Sequence, residues 1–134
     1  MLKKLKHAVY EANMELPHRG LVTYTWGNVS GIDRERGLVV IKPSGVSYDE
    51  LTPDDLVVLD LDGKVVDGKR KPSSEWALHA YLYREKPEIR GVVHTHSPYC
   101  TTFAVLNEPI RAVHYAIAGA GVNEIPCAPY CTFG

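Results

Sequence analysis

The sequence has no apolar run near the roughly 20 residues that a membrane-crossing helix needs. It has no excess charge of either sign. Lys and Arg number 15 against 16 Asp and Glu, a formal net charge of −1. A near-neutral chain lacks the electrostatic footprint for nucleic acid or an anionic membrane, so neither is expected as a partner. Cysteine is scarce: Cys100, Cys127 and Cys131 are an odd set of three with no CxxC pair. That argues against a disulfide framework and a cysteine-rich zinc site, and fits the reduced thiols of a cytoplasmic protein. The lysine-rich start, residues 1–10, has neither a continuous apolar stretch nor a small-residue cleavage site, so it does not read as a signal peptide. No internal repeat and no low-complexity segment occurs.

What is present suits a globular domain. Of 134 residues, 45% are hydrophobic and 23% charged, enough apolar material for a core. The length is that of one domain or a large piece of one. Residues 1–134 are read as a single domain. Because no element closes the chain at Phe133–Gly134, it is expected to be the N-terminal part of a longer protein.

Leu2, Leu5, Val9, Ala12 and Leu16 recur at helical spacing and predict an amphipathic helix ended by Pro17. Residues 21–26 read as a short extended segment, and Gly27–Asn28–Val29–Ser30 as a turn followed by a strand into Asp33. Arg34 to Gly37 suggests a hairpin turn, and Leu38 to Ile41 a strand. Pro43–Ser44–Gly45 reads as a loop and residues 52–55 as a short capped turn. Leu56 to Leu61 is a further strand, and Asp62–Gly63 a two-residue hairpin leading to residues 64–66. Residues 21–66 thus form a largely antiparallel meander. Ser73 or Ser74 caps a second helix that Pro87 stops, with Leu78, Ala80, Tyr81 and Leu82 as its core stripe. Residues 91–96 predict a strand, 98–106 a third helix, 109–113 an extended piece and 118–121 a loop.

His94–Thr95–His96 is the sharpest local feature. On a strand, residues i and i+2 face the same way, so two imidazoles would project together as ligands of one metal ion. His7, His18, His79 and His114 have no evident spacing partner. Glu75, in the first turn of the second helix, sits where the helix dipole favours an anion, and suits a general base beside a carbonyl. Gly27–Asn28, Ser44–Gly45 and Ser73–Ser74 are polar loops able to gather a phosphate through backbone approach and hydroxyl donors. Lys42 stands ready to add positive charge.

These motifs occur in an order that carries a resemblance. Thr25–Trp26–Gly27–Asn28–Val29–Ser30, Lys42–Pro43–Ser44–Gly45, Pro72–Ser73–Ser74–Glu75 and His94–Thr95–His96 together resemble the class II sugar-phosphate aldolase/epimerase family over almost the whole chain. The resemblance implies an α/β fold, three-layer α/β/α, with a mostly antiparallel (mixed) central sheet. It implies that His94 and His96 bind Zn²⁺ with a third histidine about 60 residues further on. Glu75 would be the acid/base at the metal and Tyr115 a proton donor toward a neighbouring subunit. Asn28, Ser44, Gly45, Ser73 and Ser74 would hold the substrate phosphate, in a cytoplasmic homotetramer.

Within the family the two halves point to different branches. Residues 1–74 look like the ribulose-phosphate 4-epimerases. Residues 73–134 look like the fuculose-1-phosphate aldolases, which carry Ser-Ser-Glu-Trp as this chain does at Ser73–Trp76. The stretch 113–119 also lacks the Asp that the epimerases place there. The resemblance therefore implies first a zinc-dependent aldolase cleaving a ketose 1-phosphate to dihydroxyacetone phosphate and an aldehyde. Second comes an L-ribulose-5-phosphate 4-epimerase using the same retro-aldol chemistry. A non-catalytic adducin-like module is the alternative of another class; the presence of His94, His96 and Glu75 speaks against it.

Overall fold

The computed structural model describes residues 1–119 and 121–131. Helix α1 (Lys3–His18) buries Val9 and Leu16 as predicted, with Leu2, Leu5 and Ala12 half-buried, and also buries Asn13, which the spacing did not include. Pro17 does not end it, contrary to expectation, but lies inside its last turn. The stop comes from Gly20, at φ +65°. Its N–H donates to the Pro17 carbonyl and the Leu21 N–H to the Leu16 carbonyl, the left-handed closure that glycine adopts without strain. Leu21 then packs on the cluster around Leu16. The stretch 21–27 is a turn and irregular chain rather than an extended segment. Tyr24 sits at φ 55° and the Trp26 N–H donates to the Thr23 carbonyl.

Strands β1 (Asn28–Asp33), β2 (Leu38–Ile41), β3 (Val57–Asp60) and β4 (Val65–Asp67) form the expected meander. Helix α2 (Trp76–Glu85) then carries the chain back, so that β5 (Gly91–His94) pairs with β1. The sheet order is β4-β3-β2-β1-β5, and every pair in it is antiparallel. The expected three-layer α/β/α arrangement is present, with no parallel pair in this sheet among the described residues.

The consecutive apolar residues of β2 and β3 explain the layers, since strands covered on both faces need no polar alternation. Leu38, Val40 and Val58 point to α1 and meet Val9. Val39, Ile41, Val57 and Leu59 point the other way and meet Tyr83 of α2. Each fully buried valine or leucine contributes about 1.5–3 kcal/mol, so these two short strands are the centre of the fold.

The β3–β4 connection differs from the expected two-residue turn. Its turn runs from Asp60 to Gly63, whose φ is +85°. The Asp60 carboxylate accepts the N–H groups of Asp62 and Lys64. A Cβ at Gly63 would lie 2.3 Å from the Trp76 ring, so Trp76 lies against this turn. The buried stripe of α2 is only partly the predicted one: Ala80 is buried and Leu82 half-buried as expected. His79, Ala80 and Tyr83 face the sheet, whereas Leu78 and Tyr81 are exposed. The sheet end under α2 is polar, with Asn28 and Ser30 on β1, and this is where the polar His79 fits.

The chain divides into two compact units, Met1–Thr95 and a second from His96 onward. The second holds α3 (Pro98–Leu106), as predicted, closed by Asn107 at φ 55°. It also holds β6 (Ile110–Arg111), paired antiparallel with β7 (Glu124–Ile125). Between them lies α4 (Tyr115–Gly119), so residues 118–119 are helical where a loop was predicted. The expected closing stretch Phe133–Gly134 lies outside the described residues.

Candidate functional site

Antiparallel pairing gathers three strand ends in one place. β1 begins at Asn28, β2 ends at Ile41 and β5 ends at His94, and Asn28 is the Cα partner of His94. Directly opposed residues of an antiparallel pair share a face, so the Asn28 and His94 side chains emerge together. Gly27 makes this possible. It takes φ +75°, and a Cβ there would meet the His94 carbonyl at 2.9 Å and the Val22 side chain at 2.3 Å.

The loop after β2 is tied to the chain before α2. The Ser44 N–H donates to the Lys71 carbonyl, the Ser73 N–H to the Lys42 carbonyl, and Pro43 bridges Pro72. Asn28 then joins both, its Nδ2 donating to Ser73 Oγ at 3.2 Å. Ser73 Oγ also accepts the Glu75 N–H at 3.3 Å. Ser73 thus organises the start of α2, although Glu75 is the residue at its N-cap position, one place before the predicted first turn. Ser74 is partly exposed beside it, and Ser44 and Gly45 are exposed on the neighbouring loop.

Glu75 and His94 face each other, Oε2 to Nδ1 at 3.9 Å, with about a quarter or less of either side chain exposed. That is longer than a hydrogen bond and within reach of an ion pair. A carboxylate and an imidazole are the donor types a divalent cation takes. Among the described residues, no group of three or more His, Cys, Asp and Glu is gathered for a metal, whereas zinc needs three or four protein ligands. The fold places His96 otherwise than predicted. β5 ends at His94, so strand alternation orients His94 alone. His96 lies two residues beyond and belongs to the second unit. Tyr115, at the start of α4, belongs there too and is exposed.

Lys42 does not stand open beside the Ser44–Gly45 loop. It is buried, its Nζ donating to the carbonyls of Val46 at 2.6 Å and Thr25 at 3.4 Å, over the Tyr48 ring. Burial lowers its pKa from 10.5 to about 8. Tyr48 Oη in turn donates to the Trp26 and Gly27 carbonyls, and burial raises its pKa to about 12. Lys42 and Tyr48 hold the two site loops together, a supporting role that spacing alone did not suggest.

Two further supports were missed. Asn13 of α1 pairs with the backbone of Val29 in both directions, accepting its N–H and donating to its carbonyl. The register of β1 with β2 begins only at Ser30, so an amide side chain completes the ladder there. Behind the site, Ser30 Oγ lies 2.7 Å from both His79 Nδ1 and Tyr83 Oη. His79 is buried, and burial, with the nearby His94 adding to it, lowers its pKa to about 4. The available signal was the four-residue spacing of Glu75 and His79, which puts both on one helix face.

Residues 7–134 match the Class II Aldolase and Adducin N-terminal domain family. The chain belongs to that family. It is 55% identical over 126 residues to the L-ribulose-5-phosphate 4-epimerases UlaF of Salmonella paratyphi B and Salmonella typhi, covering 94% of this chain and 55% of each relative. The chain thus spans about half the length of the curated relatives it matches. Among solved structures, an L-fuculose 1-phosphate aldolase superposes with a TM-score of 0.91 at 38% identity, over 97% of this chain and 61% of that one. The L-fuculose-1-phosphate aldolase of Thermus thermophilus gives 0.75 at 29% identity, over 97% and 66%. The fold is that of class II aldolases, and the family is one of sugar-phosphate aldolases and epimerases.

Proposed function

We propose that this chain forms the N-terminal part of a metal-dependent L-ribulose-5-phosphate 4-epimerase. The observation that carries it is the 55% identity over 94% of the chain to the UlaF epimerases, higher than the 38% to a fuculose 1-phosphate aldolase. This reverses the order of preference drawn from the motifs, which put the aldolase first.

In this reading Asn28, Ser44, Gly45, Ser73 and Ser74 bind the phosphate through side-chain and backbone donors. Binding energy from that remote group orients the reacting carbons. Glu75 is the acid/base beside the carbonyl. Tyr115, serving a neighbouring subunit, receives the proton that the hydroxyl loses as the aldehyde forms, and donates it back to that oxygen when the bond re-forms. Breaking the carbon–carbon bond leaves an enediolate and an aldehyde. Rotation of the aldehyde and re-formation of the bond invert one centre. His94 and His96, with a further ligand, would hold a divalent cation, in the simplest case Zn²⁺, which when bound would supply Lewis-acid stabilisation of the negative charge. The assembly proposed is a homotetramer, consistent with exposed Tyr99, Val105, Leu106 and Tyr115 in the second unit.

A second reading, the aldolase, is favoured by Ser73–Ser74–Glu75–Trp76 and by the absence of Asp from residues 113–119. One assay separates the two. Full-length protein given L-ribulose 5-phosphate is expected to form D-xylulose 5-phosphate. Release of dihydroxyacetone phosphate and lactaldehyde from L-fuculose 1-phosphate, without epimerisation, would establish the aldolase instead.

A further inference from the structure

The Ser30–His79–Tyr83 cluster has a polarity that hydrogen-bond completeness determines. Tyr83 is fully buried, and its one hydroxyl proton has a single acceptor among the described residues, Ser30 Oγ at 2.7 Å. Buried donors are nearly always satisfied. Tyr83 therefore donates to Ser30. Ser30, accepting there, directs its own proton to His79 Nδ1 at 2.7 Å. With Nδ1 an acceptor, the neutral imidazole carries its proton on Nε2.

That N–H is buried and has no partner among the described residues, and the same holds for Asn28 Oδ1. One is a donor and the other an acceptor. Asn28 and Ser30 lie two apart on β1 and so share its face, the face that α2 covers with His79. The Asn28 amide has two orientations, and only one presents Nδ2 to Ser73 Oγ. A donor supplied to Oδ1 selects that one.

We propose that Tyr83, Ser30 and His79 form a one-way hydrogen-bond relay that makes His79 a positioning residue for the phosphate cradle. His79 is held as the Nε2–H tautomer and its N–H satisfies Asn28 Oδ1 through one bridging water. This fixes the Asn28 amide with its donor side toward Ser73 and the anion. The proposal rests on the phosphate-binding part of the reading above. His79 itself touches neither phosphate nor reacting atoms.

The test uses full-length protein. Neutron diffraction of the wild type is expected to show hydrogen on His79 Nε2 and none on Nδ1; the reverse overturns the relay without any variant. Titration with inorganic phosphate is expected to show about 10-fold weaker binding in Ser30→Ala, with the KM for substrate rising alike and kcat within about twofold of wild type, a loss equivalent to about 1.4 kcal/mol. His79→Gln, which keeps an N–H near Nε2, is expected to bind phosphate better than His79→Leu at equal melting temperature. Equal affinities of the two, or of Ser30→Ala and wild type, overturn the relay alone. A wild type that binds no phosphate overturns the relay together with the reading beneath it.

Discussion

In the proposed reaction Glu75 is the acid/base, and its surroundings suit an anion. It stands at the start of α2, 3.9 Å from His94 Nδ1, where the helix dipole favours negative charge. Glu75→Gln keeps the shape and removes the base. Turnover of the full-length enzyme is expected to fall roughly 10²- to 10⁴-fold, while metal content by elemental analysis stays near wild type; undiminished turnover would remove Glu75 from the mechanism. The histidines are expected to behave oppositely, the His94→Ala, His96→Ala double variant losing the metal. Retention of full metal content in that variant would place the centre elsewhere. Glu75 and His94 were visible in the sequence because each sits in a short motif. His79 and Tyr48 were not, since what brings His79 to Ser30 and Tyr48 to Gly27 is the packing of α2 and of the loop after β2 on the sheet.

Between elements, the glycines at the turns separate conformational from steric demands. Gly20 has a left-handed φ of +65° and open space where a Cβ would go. Gly20→Ala is expected to cost only about 1 kcal/mol, the strain of a left-handed residue. Gly27→Ala adds collisions with Val22 and with the His94 carbonyl, at 2.3 and 2.9 Å. It is expected to cost about 3 kcal/mol or more, the scale of a badly overpacked position. Urea unfolding of both variants measures the difference, and equal losses would mean that β1 and β5 do not approach as closely as described. Asn13→Leu leaves the Val29 N–H and carbonyl without their side-chain partners. A loss of about 2–4 kcal/mol is expected from the unsatisfied buried groups, and a loss under about 0.5 kcal/mol would show that the backbone finds other partners.

For the molecule as a whole, the buried histidine governs the response to acid. The folded pKa of His79 is about 4 against the ordinary 6.5. Between those values the unfolded chain binds the extra proton and the folded chain does not. Stability is therefore full above about pH 6.5 and falls as pH drops toward 4, by on the order of 3 kcal/mol. Two carboxyls add a second, more acidic step. Asp55 is held below the usual carboxylate range by hydrogen bonds from Thr52 and Arg70, and Asp67 by Lys6 and the N-terminal amine. Their contribution is present at neutral pH and lost only as pH falls through those depressed values. Urea midpoints from pH 7 to 4, with chelator present, should decline for the wild type and much less for His79→Gln; parallel curves would mean that other groups carry the effect.

The sequence by itself determined the meander and both helices that sandwich it, because apolar runs, turn residues and helical spacing are local signals. Leu38–Ile41 and Pro98–Leu106 were read to the residue for that reason. It also determined the family, through four short motifs in a fixed order. Only the tertiary structure decided which face α2 buries, since the sheet end beneath it is polar and takes His79 where Leu78 and Tyr81 were expected. It decided that Gly20 rather than Pro17 stops α1, because the left-handed closure outranks a proline that still fits a last turn. It decided too that Lys42 braces two loops instead of facing the open one. Its four-carbon stem reaches buried carbonyls whose positions are set by residues 17 and 4 places away in the chain, and no local pattern encodes that distance.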